Sequence, residues 1–137
     1  MNPARTKQHI RIDEGTSPKL LSRCLDGNEN PILSTAIGSI SYTVFNVTSG
    51  FGQPVVKAGP TNLSVSDVWH NTLQLTGWQS DRIGYNFSGH IPASCFSSTE
   101  LPAQQYQVEI RATPFSGDPF WVGIWIVDVD ATLSFAS

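Results

Sequence analysis

The side chains that could do chemistry in this 137-residue chain are few and widely spaced. His9, His70 and His90 lack the short spacing that would place two imidazoles on one metal. Asp128 and Asp130 would share a strand face and could touch calcium, but that ion takes about six to eight oxygens and one pair falls short. Asp67 and Asp81 could be paired acids, although nothing sets their separation and both read as turn residues. Ser94-Cys95 lacks elbow glycines and a histidine in a recognisable order. Neither a phosphate loop nor a dinucleotide fingerprint occurs. The expectation is a non-enzymatic protein with no cofactor and no metal.

Trp69, Trp78, Trp121 and Trp125 offer a different chemistry. Tryptophans on a sandwich face stack on sugar rings or anchor a protein interface, unless they fill the core. Trp78, beside Gly77, reads as core. Trp121 and Trp125 are predicted to share one strand face, inside the protein or across an interface.

The elements that must carry these residues are strands. Tyr106, Val108, Ile110 and Ala112 alternate with Gln107, Glu109, Arg111 and Thr113, the period of a strand with one face in a core and one in water. Pro114 to Pro119 supplies a turn, since Gly117 reaches positive φ cheaply and Asp118 bonds its own backbone. Phe120 to Val129 resumes as a strand apolar on both faces, which requires cover on both sides.

Earlier in the chain, Lys7 to Asp13 predicts an edge strand, with Ile10 and Ile12 facing one way and Lys7, His9 and Arg11 the other. Leu20 to Leu25 predicts a second strand, closed by the turn at Asp26-Gly27-Asn28. Ile37 to Val47 predicts a third. Thr48 to Pro60, rich in glycine and proline, reads as a long contact loop with Phe51, Val55 and Val56 as its apolar grip. Leu63 and Val65 alternate as in a strand, while Ser66 could cap a helical turn reaching Leu73. Ile83 to Phe87 is another short strand. Seven or eight short strands separated by turns predict an all-β antiparallel sandwich. Residues 1–16 form an N-terminal arm or edge strand, and residues 17–137 a single sandwich domain.

Charged residues make up 14% of the chain and the net charge is −3, which gives no support to nucleic-acid binding. The charge is uneven. Residues 1–23 hold five basic and two acidic residues, a balance of +3; the remainder holds three basic and nine acidic, a balance of −6. A basic arm on an acidic body suits contact between copies or docking on an acidic neighbour. No apolar leader follows Met1 and no run is long enough to span a membrane, so the expectation is synthesis in a cytosol with Cys24 and Cys95 reduced. The glycosylation patterns at Asn46, Asn62 and Asn86 are then chance matches.

Leu101-Pro102 ahead of Tyr106-Gln107-Val108 resembles the tyrosine corner of immunoglobulin-like and fibronectin-type sandwiches. The Cys…Trp…Cys pattern of antibody domains is absent, so the likeness is to the architecture. Ile10-Arg11-Ile12, Leu20, Leu25-Asp26-Gly27, Pro31-Ile32 and Ile40-Ser41-Tyr42-Thr43-Val44, followed by Gly84-Tyr85-Asn86-Phe87, resemble the immunoglobulin-like modules of tailed-bacteriophage structural proteins. The N-terminal domain of upper baseplate proteins is an example. This resemblance spans most of the chain. It implies a virion component of tail, neck, baseplate or capsid surface, made in host cytoplasm without a signal peptide. Its partners would be other virion proteins and copies of itself, with no nucleic acid and no membrane. The expected contacts are the basic arm (Arg5, Lys7, Arg11), the loop (Phe51, Val55, Val56) and the Trp121/Trp125 face. The alternative is a carbohydrate-binding sandwich that uses exposed tryptophans.

Overall fold

Among the described residues, period-two alternation becomes eight strands: β1 (Gln8–Asp13), β2 (Lys19–Ser22), β3 (Ile37–Asn46), β4 (Val55–Leu63), β5 (Trp69–Gln74), β6 (Tyr85–His90), β7 (Gln104–Pro114) and β8 (Phe120–Asp130). The structure, a computed structural model, describes residues 7–13, 15–48, 50, 52, 54–96 and 104–130. One sheet has five strands in the order β1-β8-β7-β3-β4; the other has three in the order β2-β6-β5. This is the strand arrangement of an immunoglobulin-like sandwich: the first strand joins the sheet of the last, and β4 extends that sheet beside β3. Every pairing is antiparallel except β1 on β8, which is parallel, with Ile10 opposite Val127 and Ile12 opposite Val129.

The two sheets close on the inward residues of each. Ile40, Tyr42 and Val44 from β3, and Tyr106, Val108, Ile110 and Ala112 from β7, meet Leu20 and Phe87 from the smaller sheet. Phe87 lies against Trp69 and Trp125, with ring centroids 6.2 and 6.4 Å away. Burying aromatic rings of this size stabilises the sandwich by roughly 2–3 kcal/mol each. Tyr106 stands near the start of β7, edge-on to Phe96; Leu101 and Pro102, the other half of the corner pattern, lie outside the described residues.

Four expectations change. The long loop at Thr48–Pro60 ends early, because β4 begins at Val55 and pairs along β3. Gly59 and Pro60 suggested a loop, yet an edge strand tolerates them at a break in register. Gly59 has φ +93°, and a Cβ there would strike the Tyr42 carbonyl oxygen. Next, the helical turn is one turn only, Val65–Val68, preceded by Ser64 rather than capped by Ser66, and β5 follows at once. β2 stops at Ser22; Leu25 instead bridges Pro31 and closes the Asp26 turn. Trp78 is half-buried outside the core, its indole donating to Asp81.

Candidate functional site: the outer face of the five-stranded sheet

A β-bulge in β8 decides what this face presents. Ile110 pairs with Gly123, but Arg111 pairs with Trp121, so Val122 is an extra residue. The insertion shifts the alternation by one. Trp121 points outward and is 41% exposed, whereas Val122 and Trp125 turn into the core, Trp125 only 1% exposed. The expectation that Trp121 and Trp125 share a face is therefore wrong, and Trp125 leaves the set of contact residues. The bulge is held from the opposite sheet: the buried Ser22 hydroxyl donates to the Val122 carbonyl at 2.6 Å. The cross-sheet bond satisfies that carbonyl.

Beyond the bulge, register builds rows across the outer face. Ser41, Arg111 and Trp121 form one row; Thr43, Glu109 and Ile124 form the next; Phe45, Gln107 and Ile126 form a third. The Arg111 guanidinium lies 5.4 Å from the centre of the Trp121 ring, within cation–π range. Two strands away, Lys7 reaches across β8 and donates to Gln107 Oε1 at 3.2 Å. Gln107 Nε2 in turn donates to Glu109 Oε2 at 2.6 Å. Lysine, amide and carboxylate thus form one relay, which fixes Glu109 beside Arg111.

The remaining predicted contacts fall at the rims. Val55 and Val56 are 64% and 57% exposed on β4, which pairs with β3 on one side only. Arg11 lies on the opposite edge strand, exposed, 3.8 Å from Asp130. Arg5 and Phe51 lie outside the described residues. The candidate residues that the sequence did not single out are Glu109, Arg111, Ser41 and Thr43. They were legible as the water-facing half of two alternating strands; what could not be read was that the bulge swings Trp121 over to join them.

Other polar clusters hold structure. Asp81 accepts from the Trp78 indole at 2.8 Å and from the Ile83 amide at 2.8 Å, and pairs with Arg23 at 2.8 Å. The indole bond first, then the amide, then Arg23, hold its carboxyl well below the usual range. Asp128 accepts from Gln105. His70 and Ser88 bond across β5 and β6 at 2.9 Å, and the His70 ring meets Tyr85 edge-on. Among the described residues, no three of His, Cys, Asp or Glu gather as metal ligands. Cys24 and Cys95 are both buried, and burial pushes the Cys95 thiol up, away from the reactive thiolate. No helix among the described residues is long and apolar enough to cross a membrane.

The fold places this chain among immunoglobulin-like sandwiches by strand order. No family model, no curated protein and no solved structure matches it.

Proposed function

We propose that this protein is a non-enzymatic structural module of a phage virion, in the tail, neck, baseplate or capsid surface, that binds neighbouring virion proteins or copies of itself. The observation that carries an assembly role is the contrast between the two edges of the five-stranded sheet. β1 guards one edge with exposed Lys7, His9 and Arg11, the charged outer residues that keep an edge from sticking. β4 leaves Val55 and Val56 largely in water on the other. Its ladder is interrupted at Gly59-Pro60, so a neighbour is held by side-chain packing on the valine end more than by a continued sheet. The virion setting is supported by the sequence resemblance quoted above.

The test is native sedimentation of source lysate with mass spectrometry locating the chain. Migration with a particle of virus size is the expected result. Migration at the mass of a monomer or small oligomer would remove the particle reading.

A further inference from the structure

The outer face of the large sheet is not flat. A hollow of about 400 Å³ lies beside Trp121, walled by Pro60 and Pro119. A second, of about 200 Å³, lies between Lys7 and Phe45. Both are lined by Glu109, so the two hollows adjoin on the same face of the sheet. From the Phe45 row to the Trp121 row is four residues along β7, about 14 Å at the rise of a strand. The larger hollow falls within the roughly 300–1,000 Å³ of small-ligand pockets.

The geometry points to a saccharide-binding trough, with a sugar ring stacked on Trp121 and its hydroxyls shared among Arg111, Glu109 and the hydroxyl residues of β3 and β7. The lining chemistry selects this occupant. Its large apolar surface near the wide end is the indole, 41% exposed. Around it stand the hydroxyls of Ser41, Thr43 and Thr113 and the charges of Glu109 and Arg111. The core of a protein–protein interface is depleted of charge and more apolar than this. A pyranose matches it, offering an apolar C–H face to an aromatic ring and a rim of hydroxyls that donate and accept at once.

The site is also set before any ligand arrives. The guanidinium steadies the indole. The Lys7–Gln107–Glu109 relay aims the carboxylate. Strands carry all of these groups, and side chains already ordered lose less entropy on binding. Lys7 and Arg111 flank the Glu109 carboxylate, a local balance of +1 in the lining of the two hollows, which favours an acidic sugar over a neutral one.

This inference stands apart from the particle reading and is tested apart from it. The full chain is titrated with xylotriose, chitotriose and trigalacturonate up to about 10 mM, because a single-site sugar affinity near 1 mM is only about 4 kcal/mol of binding. The readout is the indole N–H resonances by NMR, assigned with Trp→Phe variants. The expected result is a saturating shift of the Trp121 resonance with trigalacturonate, weaker with the neutral trimers and reduced by salt. Trp121→Ala and Arg111→Ala are expected to weaken trigalacturonate binding tenfold or more while circular dichroism stays that of the folded sandwich. A Val55→Ser, Val56→Ser double variant, which adds no charge beside Phe45, is expected to bind sugar normally. Silence of the Trp121 resonance with all three probes overturns the inference. So does a response confined to Trp78, or a Trp121→Ala variant that binds as well as the parent. A Trp121→Ala variant that loses particle association while the parent ignores sugar would make this face a protein contact instead.

Discussion

At the scale of single residues, Asn86 shows how a polar side chain can organise a core. It is fully buried on β6. Its Oδ1 accepts the Cys24 amide at 2.7 Å, and its Nδ2 donates to the Cys24 carbonyl at 2.8 Å. The side chain thus stands in for a ladder partner just past the end of β2. Asn86→Ala would take the acceptor away from the Cys24 amide, at about 1–3 kcal/mol, while the Cys24 carbonyl keeps the Ile32 amide at 3.2 Å. Urea denaturation is expected to show a loss of about 1–3 kcal/mol on that basis, and a loss below about 0.5 kcal/mol would show that water reaches the site. In the sequence Asn86 stood within the Ile83–Phe87 strand as part of a glycosylation pattern; its burial closes that site in the folded chain. Asp81 gives a pH signature. Its folded pKa is depressed, so its contribution is present above the unfolded value of about 3.8 and fades as pH falls through the lower folded value. The stability gap between the parent and Asp81→Asn is expected to be widest near neutrality and to narrow steadily below pH 4 in the same urea assay. A gap that is constant from pH 7 to pH 2 would assign Asp81 no electrostatic part. The side chain is one-third exposed, so salt should shrink the gap as well.

At the scale of elements, the β8 bulge separates what alternation can tell from what it cannot. Strict period two predicts the faces of β1, β3 and β7 correctly, because each of those strands has one polar and one apolar side. β8 is apolar on both, so its sequence holds no phase information, and the extra Val122 goes unseen. β4 failed for a different reason: its glycine and proline are punctuation in most strands but tolerable on an edge. The bulge makes the two tryptophans unequal. Trp125→Ala is expected to cost about 3–5 kcal/mol, as for other buried aromatics. Trp121→Ala should stay within about 1 kcal/mol of the parent. Equal effects in urea unfolding would mean that the register shift is absent. Gly123 adds a sharper probe. A Cβ at that position would meet the Trp125 ring, so Gly123→Ala is expected to destabilise by about 1–3 kcal/mol through overpacking and to change the near-ultraviolet dichroism of Trp125.

At the scale of the whole molecule, Gln8–Asp13 form an edge strand of the five-stranded sheet. The sequence suggested an arm or an edge strand over residues 1–16, beside a sandwich domain of residues 17–137. In the structure β1 covers the edge of β8 and packs Ile10 and Ile12 against the core, so deleting residues 1–16 would open the sheet as well as remove charge. Its partner lies more than a hundred positions away in the chain, and no local pattern encodes a pairing at that distance. An assembly test must therefore change surface chemistry and leave the strands in place. Val55 and Val56 meet that need, since both lie on the outermost strand and are more than half exposed. Replacing both with aspartate puts two charges where a neighbour would need dry apolar contact, and burying an unpaired charge costs several kcal/mol. Two exposed substitutions cost the fold itself little, within about 1 kcal/mol together. Val55→Asp with Val56→Asp is accordingly expected to unfold at nearly the parent urea midpoint, yet to cut recovery with the sedimenting particle by tenfold or more. Undiminished recovery would move the contact off β4 and leave the guarded edge, with Lys7 and Arg11, as the surface to alter next.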